Sequence, residues 1–112
     1  MTYIKRLEAR ADKISERLKD RAATERMKLA TEIRTKVLLP FCKKHKLTMS
    51  IGIYSNDFKL PNGDVHSDYD LHKVIDDPMA EDIRKYLCLD YMGDYLFDYH
   101  MNVDITEEDL TS

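Results

Sequence analysis

Histidine and aspartate alternate over residues 66–72 in the pattern His-x-Asp-x-Asp-x-His. Imidazole and carboxylate groups are ligands for Zn, Mn or Fe, and carboxylates along a strand also suit a partner protein with a basic surface. Alternate residues of one strand lie about 6.5–7 Å apart, too far for all four side chains to reach one ion without a second strand. The pattern therefore favours a docking surface over a metal site.

A second run of acidic and imidazole residues follows near residues 98–104. If both runs share one face of a sheet, that face presents four aspartates and three histidines, counting from the sequence. A solvated polar face, or one covered by the chain's own basic helices, explains the same residues without any binding role. A metal-dependent enzyme on this face is the third functional alternative. The predicted partner-binding face consists of His66, Asp68, Asp70, His72, Asp98, His100 and Asp104.

Nucleophilic catalysis has little support in the sequence. Its three glycines form neither a phosphate-binding loop nor a Gly-x-Ser-x-Gly elbow. Cys42 and His45 stand one helical turn apart, but a closed zinc site needs about two more ligands. We therefore predict no catalytic residue, metal or cofactor. The two cysteines are expected to be free thiols, because a disulfide framework needs more of them.

The charge of the chain divides near residue 46. Residues 1–46 hold fourteen Lys and Arg against six Asp and Glu, a net +8, whereas residues 47–112 hold four against fifteen, a net −11. The basic region suggests an alternative function in nucleic-acid binding, since clustered cations contact phosphates. Interleaved acids at every fourth position, however, are typical of a solvated helix with ion pairs. The candidate phosphate contacts are Arg6, Arg10, Lys13, Arg17 and Arg21.

The first 39 residues contain no Gly or Pro and are rich in helix formers, so they predict one long helix or a helix pair with a break near residues 19–24. Pro40 is expected to kink the second helix, which residues 41–46 complete. Apolar residues in the first helix recur at spacings of 3, 4, 3 and 4, a narrow seam that suits a helix partner and predicts a homodimer. The predicted self-association seam is Ile4, Leu7, Ala11, Ile14 and Leu18.

From Leu47 the apolar period becomes two, which predicts a first strand, a turn at residues 61–64 and a second strand at 65–72. Asp77 and Pro78 predict the start of a helix that ends near Met92, capped by Gly93. Alternation over residues 95–105 then predicts a third strand. A continuous helix through 94–100 is the alternative, because Asp and Tyr also repeat there every four residues.

These elements predict an α+β fold of order α-α-β-β-α-β, with helices layered on one sheet. We expect a single domain over 1–112, comprising a basic helical region (1–46), an acidic ββαβ region (47–106) and a loose tail (107–112). No apolar run approaches the ~20 residues of a membrane span, and the first residues are charged where a signal peptide needs an apolar stretch. The expected location is cytoplasmic.

No motif identifies a family. In composition, the short chain with many Asp and Tyr resembles small accessory or inhibitor proteins that bacteriophages encode, which would act in the host cytoplasm. We predict a non-enzymatic protein-interaction module. It self-associates through its N-terminal helices and binds another protein, one with a basic surface, through its acidic face.

Overall fold

A computed structural model of the chain describes residues 2–17, 22–91, 93–97 and 101–112, with the side chains of 14–17 and 22–23 left out. Helix and sheet are mixed, in agreement with the predicted α+β class, but the order α-α-β-β-α-β is not confirmed. The helices are α1 (Tyr3–Arg17), α2 (Ala22–Ile33), α3 (Leu39–His45), α4 (Pro78–Leu87) and α5 (Glu107–Thr111). The strands are β1 (Thr48–Ile51), β2 (Asn56–Lys59), β3 (Val65–Ser67), β4 (Asp90–Tyr91) and β5 (Asp94–Tyr95).

The N-terminal region is a helix pair. Glu32 near the end of α2 accepts hydrogen bonds from Arg10 Nη1 (2.8 Å) and from the Tyr3 hydroxyl (3.5 Å), both on α1. α1 ends at Arg17 and α2 begins at Ala22. The predicted break near residues 19–24 falls largely on residues 18–21, which lie outside the described part of the chain.

The second helix changes its pitch just before Pro40. α2 runs into a π-helical turn at Arg34–Leu38, in which the Leu39 N–H donates to the carbonyl of Arg34. Proline crowds the carbonyl four residues before it and has no N–H to offer, which accounts for a widened turn here. α3 then continues to His45 as predicted, and Lys46 ends it in the left-handed conformation (φ 57°).

The central sheet is an antiparallel meander in the order β1-β2-β3. The predicted turn at residues 61–64 is confirmed, with Gly63 at φ 95° and the Leu60 N–H donating to the Asp64 carbonyl at 2.8 Å. β2 lies in a stretch for which the sequence predicts no element, and one prediction here is wrong, because the second predicted strand stops at Ser67 instead of residue 72. The chain leaves the sheet because a turn and a short 3-10 helix at Leu71–Lys73 carry Leu71 into the core.

α4 begins where predicted, since Asp77 is its N-cap and accepts from the Met79 N–H, with Pro78 in the first turn. Its predicted end near Met92 is wrong, because the helix stops at Leu87 and the chain turns into the β4-β5 hairpin. Gly93 (φ 83°) serves this hairpin instead of capping the helix.

The C-terminal predictions are also corrected. Within the predicted third strand, the described residues 95–97 and 101–105 do not continue the alternation: Leu96 and Phe97 are neighbours and both are buried, and among these residues Ile105 pairs with β1, at Met49. The tail predicted to be loose forms α5 instead. Thr106 and Asp109 make a capping box at its start, and these reciprocal hydrogen bonds stabilise a helix end.

One hydrophobic core joins all these elements. α1, α2, α3, the meander, α4 and the C-terminal segment each contribute buried apolar side chains to it. None of the described helices combines the length and the apolar character that crossing a membrane requires. The largest fully buried side chains include Leu29, Ile33, Leu38, Leu47, Phe58, Leu71, Ile83, Leu87, Leu96 and Ile105.

Asp77 links α3 to α4, and we expect the stability that this link contributes to depend on pH. His45 Nε2 (2.8 Å), the Met79 N–H (3.0 Å) and Lys44 Nζ (3.2 Å) lower the pKa of Asp77 to about 2. A carboxyl with a lowered folded-state pKa contributes stability that is present above its unfolded pKa and lost as pH falls through about 2. Asp77→Asn, which retains a capping oxygen, should therefore destabilise the protein in urea at pH 7 but not below about pH 2. Asp76→Asn is the matched control, and an equal loss in both variants would contradict this link.

Candidate functional site

The residues of the predicted partner-binding face do not lie together on one surface. The side chains of β3 that are expected from the sequence to face solvent lie on the core side of the meander. Met49, Phe58 and His66 are register partners and therefore lie on the same face of the meander, and Met49 and Phe58 are buried. His66 and Asp68 thus point towards the core side, while Val65, which alternates with them along β3, is 58% exposed. A shift of one residue moves every side chain of a strand to the other face. Asp68 is accordingly buried and is not part of an exposed docking face.

The other members of the predicted face lie apart. Asp70 and His72 are exposed, on the turn and the 3-10 helix after β3. Asp104 accepts a hydrogen bond from the Ile51 N–H at 2.9 Å, so it borders β1, on the far side of the meander from β3. Asp98 and His100 lie outside the described residues. Within the described part of the chain, no group of three or more His, Cys, Asp or Glu side chains could hold a metal ion.

The predicted self-association seam faces inward in the single chain. Leu7 and Ala11 are buried in the core, and Ile4 packs against it partly buried. Residues already covered by the chain's own elements offer little surface to a second copy, and this applies to Leu7 and Ala11. The side chain of Ile14 and the whole of Leu18 lie outside the described residues. Self-association as such stays a prediction.

The basic residues of α1 are partly engaged with neighbouring side chains. Arg10 pairs with Glu32 at 2.8 Å, and the Arg6 guanidinium lies 5.8 Å from the centre of the Tyr3 ring. Arg6 and Lys13 are exposed. The Arg17 side chain and Arg21 lie outside the described residues.

Cys42 and His45 form no joint site. Cys42 is fully buried, and this burial raises the pKa of its thiol to about 12, so it remains protonated and unreactive. His45 instead bonds to Asp77. Both cysteines are free thiols, as predicted.

A different surface stands out once the fold is known. Ile53, Tyr54, Tyr69 and Tyr95 are 67%, 96%, 58% and 67% exposed, and all four line one open cleft of about 470 Å³. Single exposed apolar residues are ordinary, but several around one concavity mark an interaction site. We call this surface the tyrosine cleft. Its inner lining includes Arg26, Asp68, Leu87, Cys88, Asp94 and Phe97.

Two turns and the end of one strand hold the rim. Ile53 and Tyr54 occupy the tip of the β1-β2 turn, which a hydrogen bond from the Gly52 N–H to the Ser55 carbonyl closes at 3.0 Å. A side chain on Gly52 would meet that carbonyl at 2.7 Å, so glycine permits this tight turn. Tyr69 follows the buried Asp68 after β3, and Tyr95 lies on β5.

Asp68 is the unusual polar group of the tyrosine cleft. Its side chain is buried (3% exposed), Asn56 Nδ2 donates to its Oδ2 at 3.3 Å, and its Oδ1 has no hydrogen-bond partner within the described structure. Burial raises the pKa of Asp68, while the Asn56 hydrogen bond, the charge of Arg84 and the backbone N–H groups of Tyr69 and Asp68 oppose that rise. A buried acceptor without a partner is costly to the folded state, and such costs concentrate at binding and catalytic sites.

Two arginines beside Asp68 are directed to other groups. Arg26 donates to the backbone carbonyls of Tyr95 and, at 3.1 Å, Leu96. The Arg84 guanidinium lies 3.9 Å above the centre of the Tyr69 ring. These contacts fix the β4-β5 hairpin and the Tyr69 ring, and with them two sides of the tyrosine cleft.

No family model, curated protein or solved structure matches this chain. The function must therefore be inferred from the tyrosine cleft itself. Cys88 at its wall does not suit nucleophilic chemistry, because burial, and after it the charge of Asp68, raises the pKa of its thiol.

The sequence contained a weak signal for this site. Ile53 and Tyr54 directly follow an alternating strand and precede Ser-Asn-Asp, a combination of large apolar side chains with turn-forming residues. Tyr69 lies beyond the end of β3, although the sequence predicts a strand through residue 72, and Tyr95 lies on the short strand β5 instead of opening a strand that runs to residue 105. The three tyrosines come from separate segments, so no local spacing connects them.

Proposed function

We propose that this chain is a non-enzymatic protein-interaction module that binds a partner protein through the tyrosine cleft. The observation that supports this most is the convergence of four exposed apolar side chains on one concave surface. Tyrosine is enriched among the residues that contribute most to protein–protein binding, because its ring is large, has few rotatable bonds and carries a polar hydroxyl.

The partner is proposed to have a basic surface. Residues 47–112 carry a net charge of −11, and Asp94 and Asp68 lie in the tyrosine cleft itself. Asp70 and His72, exposed near Tyr69, remain proposed contributors at its border. Such charges raise the association rate with a basic partner and select against acidic ones. A cytoplasmic role as a phage-type inhibitor or accessory protein is part of the proposal, and it rests on composition.

Nucleic-acid binding through α1 is the second candidate. It is supported by the exposure of Arg6 and Lys13 on that helix, whereas the pairing of Arg10 with Glu32 speaks against it. Its signature would be affinity for generic duplexes that falls steeply with salt, because cations that contact phosphates displace condensed counterions. The protein-binding proposal expects weak affinity for such duplexes.

Photo-crosslinking tests the proposed function. Benzoylphenylalanine placed at Tyr54, which is 96% exposed, should crosslink one defined protein in the cells that encode the chain. The same probe at Val65, 58% exposed on the outward face of β3, should not. Tyr54→Ala should then weaken binding of that purified protein by roughly 30-fold, the usual loss for a residue at the centre of an interface.

Val65→Ala is the control for the affinity measurement, with binding expected to change by less than roughly twofold. Both variants should unfold at the urea concentration of the unchanged protein, because exposed side chains contribute little to stability. Equal crosslinking from both positions, or full affinity in Tyr54→Ala, would refute the tyrosine cleft as the binding site.

A further inference from the structure

We infer that the tyrosine cleft receives an arginine side chain of the partner protein, whose guanidinium donates a hydrogen bond to Oδ1 of Asp68. This inference rests on the proposed function and specifies the group that the site recognises. The inference combines two observations: the exposed aromatic rim of the cleft, and Oδ1 of Asp68, the buried acceptor that lacks a donor within the described structure.

The hydrogen bonding of Asp68 leaves room for a donor from outside. Its own N–H is used within the sheet, donating to the Asn56 carbonyl at 2.9 Å. Its Oδ2 accepts from Asn56 Nδ2 over a long 3.3 Å contact, and the backbone N–H groups of Tyr69 and of Asp68 itself also lower the pKa of the carboxyl. Oδ1 exposes less than 1 Å² of surface, so a donor must reach it through a small rotation of the Asp68 side chain. A charge-assisted hydrogen bond would compensate for both the burial and that rotation.

The charged groups around Asp68 favour a cationic ligand. Asp94 adds a second carboxylate to the tyrosine cleft. Two cations lie nearby and keep their charge: Arg26 donates to two backbone carbonyls, and Arg84, which stacks on the Tyr69 ring, acts on Asp68 through its charge. An incoming cation would meet the carboxylates of Asp68 and Asp94 and the exposed rings of Tyr54 and Tyr95, which attract cations through their negative faces.

Arginine fits this surface better than lysine does. A guanidinium is planar, weakly hydrated and carries five N–H donors, so it can stack on a ring while donating to a carboxylate. Arg84 over Tyr69 shows this stacking at the border of the same cleft. Tyr54 and Tyr95, exposed on the rim, offer further rings to an incoming guanidinium. An ammonium group keeps its hydration more strongly and cannot stack in this way.

Selection from a displayed library of random peptides against the full chain tests the inference. Peptides that bind the unchanged protein but not the Tyr54→Ala variant should be enriched in arginine over lysine. Replacing the arginine of a selected peptide by citrulline, its neutral analogue, should weaken binding by roughly 10- to 100-fold. Against Asp68→Asn, the arginine and citrulline peptides should bind with nearly equal affinity.

Asp82→Asn is the matched control. Asp82 is a carboxylate on α4 outside the lining of the tyrosine cleft and pairs with Lys85 at 3.2 Å, so its neutralisation changes the net charge equally and should keep the preference for arginine. Asp68→Asn should remain folded, since it retains the shape of the side chain and removes a buried charge. Urea unfolding checks this. The coupling between Asp68→Asn in the protein and arginine-to-citrulline in the peptide then separates a direct contact from a merely structural role.

The outcomes distinguish this inference from the proposed function. Peptides that need Tyr54 but bind equally well with citrulline, or equally well to Asp68→Asn, would overturn the arginine inference and leave the proposed function standing. A selection without any peptide sensitive to Tyr54→Ala would overturn both.

Discussion

Replacing Leu7 by Asp should destabilise the folded chain by about 3–5 kcal/mol, because a carboxylate would enter an apolar core without a partner. Leu7 is 3% exposed and belongs to the same core as Leu29 and Phe58. Urea denaturation followed by circular dichroism measures this loss. A dimer interface along the predicted seam requires a different result, in which the variant remains folded and merely becomes monomeric.

Ala9→Asp is the control for this substitution, since Ala9 is exposed on the same helix. Its effect should stay within about 0.5 kcal/mol. Analytical ultracentrifugation of the unchanged protein tests self-association independently. A stable, monomeric Leu7→Asp variant of a dimeric protein would restore the seam as an interface and contradict the burial of Leu7.

The second large effect is expected at Arg34. Its guanidinium donates to the carbonyls of Val103 (3.1 Å) and Asp104 (2.8 Å) and pairs with Asp109 at 3.1 Å. Since the side chain is 23% exposed, these contacts lie mostly out of solvent. Arg34→Met, which retains much of the apolar stem, should lower the free energy of unfolding by about 2–4 kcal/mol because two carbonyls and a carboxylate lose their donor.

Hydrogen exchange locates the effect of Arg34→Met. The amides of Met49 and Ile105, which pair with each other at 2.9 and 3.0 Å, should lose protection first. Lys36→Met is the control: Lys36 is 62% exposed and pairs with Glu32 at 3.6 Å, a contact worth about 0–1 kcal/mol. Equal destabilisation by the two variants would contradict a specific role of Arg34.

The sequence predicts correctly those elements whose signals are local. The Pro-Asn-Gly-Asp turn at 61–64 and the Asp77-Pro78 helix start each depend on the backbone preferences of a few adjacent residues. Which side chains of β3 face the core could not be predicted in this way. Its alternation was too weak to distinguish its two faces, and the pairing of Phe58 with His66 decided which face the core covers.

The tyrosine cleft lay beyond sequence reasoning for a related reason. Tyr54, Tyr69 and Tyr95 are brought together by the meander and the β4-β5 hairpin. The sequence does not predict this hairpin, because the predicted helix α4 continues to Met92 and includes the residues of β4. The buried position of Asp68 likewise follows from register and not from residue type. Residue types predict the acidic character of the region, but they do not predict the geometry that makes one carboxylate distinctive.

The pairing of Ile105 with Met49 also bears on solubility. An open strand edge exposes unpaired N–H and C=O groups to which another copy of the chain can add a strand, a common route to aggregation. The Met49–Ile105 bridge occupies the outer edge of β1, and the opposite edge is β3, only three residues long. The C-terminal segment therefore has a protective role as well as a structural one: while it stays docked, the meander presents no long edge on which intermolecular sheet growth can begin.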